Sequence, residues 1–258
     1  IAWENDRGAY RCYGPALQAS GEQAFGNDVW VKNTPDLVVE SRYHNELVNK
    51  LSYHVDRGYG LDCYKVGPTL GCGTPAIIEG DNIRFPYCWT AYEILDNGPL
   101  RFTVRLDYGA NGEHRIMSLD KGSNFNKMTV WYDAITTPVD VASGVVIHTE
   151  DTESVVLGKD YVQYADPTDN PKAQNFQIYV AAIFPDGVDA TRKVMYQNPV
   201  RGNAGHALGI KKGLQPNEKF TYYFGSSWSK YDCRNQKEWQ MRIDNFKLAL
   251  AQPLEIIL

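Results

Sequence analysis

Residues 101–108 read Arg-Phe-Thr-Val-Arg-Leu-Asp-Tyr, so that apolar and polar side chains alternate at every position. Successive side chains of a β-strand point to opposite faces, and this alternation is therefore typical of a strand with one buried face. Gly109-Ala-Asn-Gly112 follows directly and supplies residues that favour a tight turn. The stretch predicts one strand of an antiparallel sheet and the turn that leads into the next strand.

The same pattern recurs along the rest of the chain, and each occurrence is bounded by Gly, Pro, Asn or Asp. The further strands are predicted at residues 127–133, 144–149, 154–164, 175–184 and 220–224. Many short alternating strands indicate an all-β sandwich or barrel rather than a βαβ fold. We expect one domain over residues 1–258, a large antiparallel β-sandwich of the two-sheet form found in galactose mutarotase-like proteins.

Residues 235–252 depart from the strand pattern, because their apolar side chains recur at steps of four, three and four before Pro253. This spacing places one apolar stripe on a helix, and proline is a stop signal. The sequence predicts one C-terminal amphipathic helix that packs its stripe inward. The stripe consists of Trp239, Ile243, Phe246 and Leu250.

Composition and charge exclude several classes of partner. The formal net charge is -5 and the basic residues are scattered, so no positive surface for nucleic acid is expected. No stretch approaches the roughly 20 apolar residues that a membrane-spanning helix needs. The five cysteines form no Cys-x-x-Cys pair, which favours buried free thiols over a zinc site. The chain begins with Ile1 rather than Met, which suggests a removed signal peptide and a periplasmic or secreted protein.

A long stretch of weak periodicity, residues 33–76, is expected to form a binding loop, and its functional side chains are concentrated at residues 52–67. His54 can exchange a proton near neutral pH, and a carboxylate can orient it. Tyrosines in the same segment can act as acid or base. The candidate catalytic residues here are Tyr53, His54, Asp62 and Tyr64, with Asp56 as a candidate for substrate binding. A glycine-rich loop whose polar groups only bond one another is the competing interpretation.

Residues distant in sequence are expected to complete the site. Arg11 or Arg101 could hold a sugar carboxylate with two hydrogen bonds, although a surface ion pair of little energetic value is the plainer interpretation. Trp228 and Lys230 suit a pyranose, because an aromatic ring packs on its C–H face while polar groups bind its hydroxyls. Trp228 could equally be a core residue. His206 is a further candidate acid or base.

No cofactor is required by these residues, and metal binding stays an open alternative. His44 and His54 with Asp56 or Asp62 could hold a divalent ion, but they lack the His-x-His or His-x-x-x-His spacing of a metal site. A glycoside hydrolase would use two carboxylates, and its candidates are Glu4, Asp6, Asp56 and Asp62. A non-catalytic carbohydrate-binding protein is a third interpretation.

Five motifs together resemble a bacterial family known as domain of unknown function 4861, and the resemblance covers nearly the whole chain. They are Glu4-Asn-Asp-Arg-Gly-Ala-Tyr-Arg-Cys-Tyr-Gly-Pro-Ala-Leu17, Ser52-Tyr-His-Val-Asp56, Gly60-Leu-Asp-Cys-Tyr-Lys-Val-Gly67, Asn97-Gly-Pro-Leu-Arg101 and Trp228-Ser-Lys230. The family occurs in polysaccharide-utilisation gene clusters beside unsaturated-uronyl hydrolases and is similar to an oligosaccharide dehydratase of ulvan breakdown. The resemblance implies an acidic oligosaccharide substrate and removal of water across C4 and C5 of a non-reducing-end uronic acid.

Overall fold

Three sheets make up most of the protein in the computed structural model, which describes residues 1–169, 175–200 and 203–253. Strands and helices are numbered in chain order. The four-stranded sheet has the order β1 (Ala2–Glu4), β2 (Gly8–Arg11), β3 (Asp28–Lys32), β4 (Gly60–Asp62). The five-stranded sheet has the order β15 (Ala190–Val200), β16 (Asn203–Leu214), β11 (Val139–Ile147), β5 (Ala76–Glu79), β6 (Asn82–Arg84).

The largest sheet has eight strands, and adjacent strands within all three sheets are antiparallel over the described residues. Its order is β12 (Val156–Leu157), β13 (Tyr161–Asp166), β14 (Ile178–Ile183), β17 (Phe220–Trp228), β10 (Phe125–Tyr132), β9 (Glu113–Asp120), β8 (Arg101–Tyr108), β7 (Ala91–Asn97). The helices are α1 (Pro15–Ser20), α2 (Val39–Leu47) and α3 (Gln236–Ala251).

The main hydrophobic core lies between the eight-stranded and five-stranded sheets. Met128 and Tyr222 from the former belong to one buried cluster with Val145 and Ala207 from the latter. The four-stranded sheet adds to the same core through Tyr10, whose ring packs edge-on against Phe224 at 5.9 Å between centroids. Strands β8 and β9 bury alternate side chains and leave those between them more exposed, whereas β14 and most of β16 are buried on both faces. The predicted all-β antiparallel sandwich is confirmed.

The opening stretch behaves as its alternation predicts. Residues 101–108 form β8, with Val104, Leu106 and Tyr108 buried, and a turn over residues 109–112 leads into β9. The other predicted strands correspond to β10, β11, β12 with β13, β14 and β17, shifted by a few residues at their ends. Strands β15 and β16 were not predicted from the sequence.

The C-terminal helix is confirmed as α3, which packs on the outer face of the eight-stranded sheet. Trp239 and Ile243 are fully buried there, and Phe246 is half-buried against Phe125 at 4.6 Å between ring centroids. The fourth stripe residue, Leu250, remains partly exposed near the end of the helix. Asn235 begins the helix, because its side chain accepts a hydrogen bond from the backbone N–H of Glu238 at 3.0 Å.

The stretch 33–76, expected to be one long loop, contains α2 and β4. The reason is a distant helix cap. The Glu4 carboxylate on β1 accepts hydrogen bonds from the backbone N–H groups of Val38 and Val39, each at 2.8 Å. An acidic group at a helix N-terminus accepts hydrogen bonds from the free backbone N–H groups and interacts favourably with the positive end of the helix dipole. A cap that comes from another strand leaves no signal in the local sequence, so α2 was missed.

The remaining general expectations can be compared directly with the structure. All five cysteines are free and buried, as predicted. Within the described part of the chain, no helix is long and apolar enough to span a bilayer.

Candidate active site

One face of the four-stranded sheet carries polar side chains and points away from the main core. Cross-strand register places Arg11 on β2 opposite Asp28 on β3, and Trp30 on β3 opposite Asp62 on β4. Directly opposed residues, and residues two positions apart on one strand, share a face of a sheet. The other face of the same strands carries Tyr10 and its apolar neighbours in the core. The strand pattern itself therefore assembles these four residues.

Gly60 allows β4 to approach β3 closely enough for this arrangement. Its φ is +99°, a backbone conformation that residues other than glycine rarely adopt. A Cβ atom at this position would lie 2.1 Å from the carbonyl oxygen of Val31. Asp62 follows two residues later and faces Trp30 across the ladder. The glycine at the start of β4 is thus a structural requirement for the position of Asp62.

Arg11 joins the two aspartates through a single nitrogen. Its Nη2 donates to Asp28 Oδ2 at 2.5 Å and to Asp62 Oδ2 at 2.9 Å, while the Arg11 side chain is 16% exposed. Burial raises the pKa of Asp28, although Arg11 opposes that rise, and burial together with the charge of Asp28 raises the pKa of Asp62 well above its usual range. Burial alone would lower the pKa of Arg11, but Asp28 beside it raises it overall. One cation between two buried carboxylates favours retention of a proton by the pair.

Aromatic rings surround the guanidinium of Arg11. The Cζ atom lies 5.0 Å from the ring centroid of Trp30 and 5.6 Å from that of Tyr53. Its Nη1 donates to the hydroxyls of Tyr53 at 3.4 Å and Tyr43 at 3.5 Å. These contacts combine cation–π attraction with long hydrogen bonds. We call Arg11, Asp28, Trp30, Tyr43, Tyr53, His54 and Asp62 the Arg11 cluster.

His54 lies at the exposed edge of the cluster. Its Nδ1 is 2.9 Å from the backbone carbonyl oxygen of Asp62 and 3.8 Å from the Oδ2 atom of the same residue. A carbonyl oxygen only accepts, so Nδ1 carries the hydrogen of that bond and Nε2 holds the lone pair of the neutral ring. The side chain is 54% exposed, and its ring lies 4.6 Å from that of Tyr53 between centroids. His54 therefore presents a basic nitrogen to solvent next to a tyrosine.

Lys230 approaches the same loop from the end of β17. It forms an ion pair with Asp56, which is itself fixed by hydrogen bonds from the backbone N–H groups of Gly58 and Gly60. Burial would raise the pKa of Asp56, but its bond with Lys230 and the two backbone bonds lower it overall. The Lys230 Nζ atom lies 5.4 Å from the ring centroid of Trp228 and 5.5 Å from that of Phe176. Asp56 thus positions a partly exposed cation beside the His54 loop.

The remaining sequence candidates lie elsewhere. Arg101 pairs with Asp120 on the exposed surface of the eight-stranded sheet, at 2.5 Å. Of the two candidate arginines, Arg11 is the one that pairs with Asp62, which His54 also contacts. Tyr64 is buried, and its ring packs against His148 at 5.3 Å. Trp228 is also buried, so its exposed neighbour Phe176 is the better surface for a sugar ring. His206 is buried on β16 under a different groove.

The segment 52–67, expected to form a binding loop, does not line the large groove on the five-stranded sheet. This groove has a volume of about 930 Å³ and is lined by Phe25, Tyr196 and other residues outside that segment. Several residues of the stretch 51–59, Tyr53 among them, line a narrow pocket together with Arg42. The segment folds down onto Trp30 through Tyr53, at 4.7 Å between ring centroids, and so closes the space beneath it. The Arg11 cluster is consequently largely buried and reaches the surface at His54.

The carboxylates considered for a hydrolase are occupied by structural contacts. Glu4 caps α2 and also pairs with the buried Lys32 at 2.7 Å, and Asp6 accepts a hydrogen bond from the backbone of Gly122. Asp62 is held by Arg11, whose Nη2 lies 2.9 Å from its Oδ2 atom. His44 is exposed on α2, and no group of three metal-ligating side chains occurs in the described ranges.

Two residues in or next to the site, Asp28 and His148, were not identified by the sequence analysis. Asp28 belongs to the centre of the cluster, but only the register of β2 and β3 reveals it. His148 is buried with both ring nitrogens bonded, Nδ1 to Asp166 at 2.5 Å and Nε2 to the carbonyl oxygen of Lys65 at 2.6 Å. Burial would lower the pKa of His148, but Asp166 raises it overall. Both partners accept hydrogen bonds, so the protonated ring links Asp166 to the backbone of the 52–67 segment at Lys65. Neither residue stands in a recognisable local motif.

These sheets and this polar face define an all-β sandwich protein in which a buried Arg–Asp cluster supports an exposed histidine. A family model described as "Domain of unknown function (DUF4861)" matches residues 1–256, and the chain belongs to this family. It is 27% identical over 273 residues to "Uncharacterized protein P7" of Formosa agariphila, across 98% of this chain and 66% of that protein. The chain therefore spans about two thirds of the length of this relative.

Solved structures show more distant likenesses. YidC from Thermotoga maritima is similar with a TM-score of 0.41 and 9% identity, across 98% of this chain and 57% of its own. The GH36 alpha-galactosidase AgaA from Geobacillus stearothermophilus is similar with a TM-score of 0.38 and 8% identity, across 88% of this chain and 40% of its own. Both TM-scores are low, so the fold is defined here by its own sheets.

Proposed function

We propose that this protein is a carbon–oxygen lyase that eliminates water, or a 4-linked group, across C4 and C5 of a non-reducing-end uronic acid. The observation that supports this most is the pairing of the exposed His54 with the partly buried Tyr53, which lie side by side with complementary hydrogen-bonding roles. An elimination needs a base for the C5 proton, an acid for the departing oxygen and a cation for the substrate carboxylate. It needs no covalent nucleophile.

His54 is the proposed base. Its Nδ1 is bound to the Asp62 carbonyl oxygen, which leaves Nε2 to take the proton from C5. Electrons of the C5–H bond then form the C4–C5 double bond as the C4–O4 bond breaks. The carbonyl oxygen of Asp62 at Nδ1, with the carboxyl group of the same residue 3.8 Å away, favours the positive charge that His54 gains.

Tyr53 is the proposed acid. Its hydroxyl oxygen accepts from Arg11 Nη1, so its own hydrogen is available to the departing O4, which leaves as water or as the 4-linked group. The positive charge of Arg11 also stabilises a tyrosinate once the proton has moved. In this mechanism Arg11 supports the acid and is not the carboxylate ligand, because its Nη2 is already held by two aspartates.

Lys230 is the proposed partner of the substrate carboxylate. Negative charge grows on that group as the C5 proton leaves, so a nearby cation stabilises the transition state more than the ground state. Asp56 holds the ammonium group beside the His54 loop, and the exposed ring of Phe176 offers a surface for the sugar.

The test is incubation with uronic-acid-terminated oligosaccharides, followed by product mass and by ultraviolet absorbance of the new conjugated double bond. We expect a product lighter by one water, and a rate reduced about 10²–10⁴-fold in His54→Ala. Tyr53→Phe should also lose most of the rate. His44→Ala, which removes an exposed histidine on α2, is the matched control and should retain it. Release of a saturated monosaccharide would instead establish a hydrolase, and binding without product would establish a binding protein.

A further inference from the structure

A second site lies in the large groove on the outer face of the five-stranded sheet. The groove has a volume of about 930 Å³, and its lining includes Phe25, Phe85, Tyr196 and Asn203. It shares no lining residue with the Arg11 cluster. A volume of this size is typical of pockets that hold small molecules.

The hydrogen bonds of His206 determine whether the Tyr196 hydroxyl at the groove wall donates or accepts. The backbone N–H of Leu70 donates to His206 Nε2 at 3.1 Å, so Nε2 accepts and Nδ1 carries the hydrogen of the neutral ring. Nδ1 therefore donates to the Tyr196 hydroxyl oxygen at 2.9 Å. Burial lowers the pKa of His206 to about 3, which agrees with a neutral ring. The hydrogen of the Tyr196 hydroxyl is left for another acceptor.

Asn203 supplies further unused hydrogen-bonding groups. Its side chain is buried, with 1% of the residue exposed, yet neither Oδ1 nor Nδ2 has a partner among the residues that the structure describes. A buried polar group without a partner costs roughly 1–3 kcal/mol. The amide lines the groove and offers one acceptor and two donors to a ligand there.

The aromatic and charged residues of the groove narrow the kind of ligand. Phe25 and Phe85 lie 6.3 Å apart between centroids and provide apolar ring surface. The lining contains no Lys or Arg within the described chain, whereas Glu79 and Asp81 belong to it. Both carboxylates are held by arginines at the rim, Glu79 by Arg84 and Asp81 by Arg192 at 3.1 Å. The groove thus offers no free cation to an anion.

We infer that this groove binds a neutral sugar residue, whose hydroxyls bond the Tyr196 hydroxyl and the Asn203 amide while its C–H face packs on Phe25 or Phe85. Rings beside convergent neutral donors and acceptors match a pyranose. A purely apolar ligand would leave Asn203 unpaired, and an acidic sugar would meet two carboxylates whose arginine partners are already engaged. This site does not depend on elimination at His54.

The test is an NMR titration of the full chain with neutral tetrasaccharides of glucose, xylose, mannose or galactose, and with tetragalacturonate as the acidic probe. We expect at least one neutral probe to shift the Asn203 side-chain amide and the Leu70 backbone amide. Tyr196→Phe and Asn203→Ala should each weaken that binding about tenfold. Tyr92→Phe, at an exposed tyrosine on β7, is the matched control and should not change it.

The same titration in His54→Ala separates this site from the proposed reaction, because binding in the groove should persist when the Arg11 cluster is altered. Urea denaturation of each variant shows whether it is folded, and Phe25→Ala provides a second route to weaker binding if Asn203→Ala unfolds. Absence of a shift with every neutral probe would overturn the inference. Preferential binding of tetragalacturonate at these amides would overturn its assignment to a neutral sugar.

Discussion

Replacing Arg11 by Met tests whether the cluster is held together by charge. The substitution keeps an apolar stem of similar length but leaves Asp28 and Asp62, both almost fully buried, without their shared cation. Removing one partner of a buried ion pair typically costs about 3–5 kcal/mol. We expect a loss of this size in the free energy of unfolding at pH 7, measured by urea denaturation with tryptophan fluorescence.

The cost of Arg11→Met should shrink as the pH falls. Without Arg11, the folded-state pKa values of both carboxyls rise further above their unfolded values. A carboxyl group whose pKa is raised by folding favours the folded state while it is protonated, below its unfolded-state pKa of about 4. This contribution to stability is lost as the pH rises through the folded-state pKa. The difference from the parent protein should therefore be largest at pH 7 and fall to about 1–3 kcal/mol near pH 4, the cost of the lost hydrogen bonds.

A matched variant isolates the effect of burial. Arg101→Met breaks an Arg–Asp pair of similar geometry whose two side chains are 55% and 49% exposed. Exposed pairs contribute about 0–1 kcal/mol, so this variant should lose at most that much. If Arg11→Met cost less than Arg101→Met, or cost the same at pH 4 and pH 7, the electrostatic account of the cluster would be refuted.

Two further predictions concern Glu4, which caps α2, and Lys230, the proposed partner of the substrate carboxylate. Glu4→Gln leaves the buried Lys32 without its carboxylate and should cost about 3 kcal/mol at pH 7 in urea denaturation. Because burial lowers the pKa of Lys32, the loss should diminish as the pH rises toward the ordinary pKa of lysine, where the ammonium group is neutralised. Exposed Glu79→Gln is the control, and an equal loss in both variants would contradict this prediction. Lys230→Met should lower kcat for uronate elimination as well as raise KM, whereas the exposed Lys127→Met should change neither. An increase in KM alone would limit Lys230 to substrate binding.

The fold was predictable wherever one strand face is buried. In β8 the alternation of side chains follows directly from the burial of Val104, Leu106 and Tyr108. Strand β16 was missed because its residues 203–210 are all buried, with His206 and Asn203 among them, so no alternation remains. Buried strands of this kind read as continuous runs, which periodicity does not distinguish from other buried segments.

The site was predictable only in part, because its chemistry comes from register. The segment 52–67 could be identified by its composition, and Arg11 by its residue type. Asp28 has no local signal, since it becomes functional only where β3 aligns it with Arg11. Arg101 was indistinguishable from Arg11 in the sequence, and the structure separates them by their partners and their burial.

The energetics of the cluster favour a role beyond stability. Burying a cation and two carboxylates costs several kcal/mol in desolvation, and apolar residues of similar volume are often at least as stable in such a position. Lys32 with Glu4 has an evident structural use, because that carboxylate also begins α2. The Arg11 cluster has no helix to cap. Its contacts lead instead to the exposed ring of His54, through the Asp62 carbonyl, and to the Tyr53 hydroxyl. Groups with perturbed pKa values beside a candidate acid–base pair that reaches the surface are typical of catalytic sites, and this is the physical reason to test elimination here first.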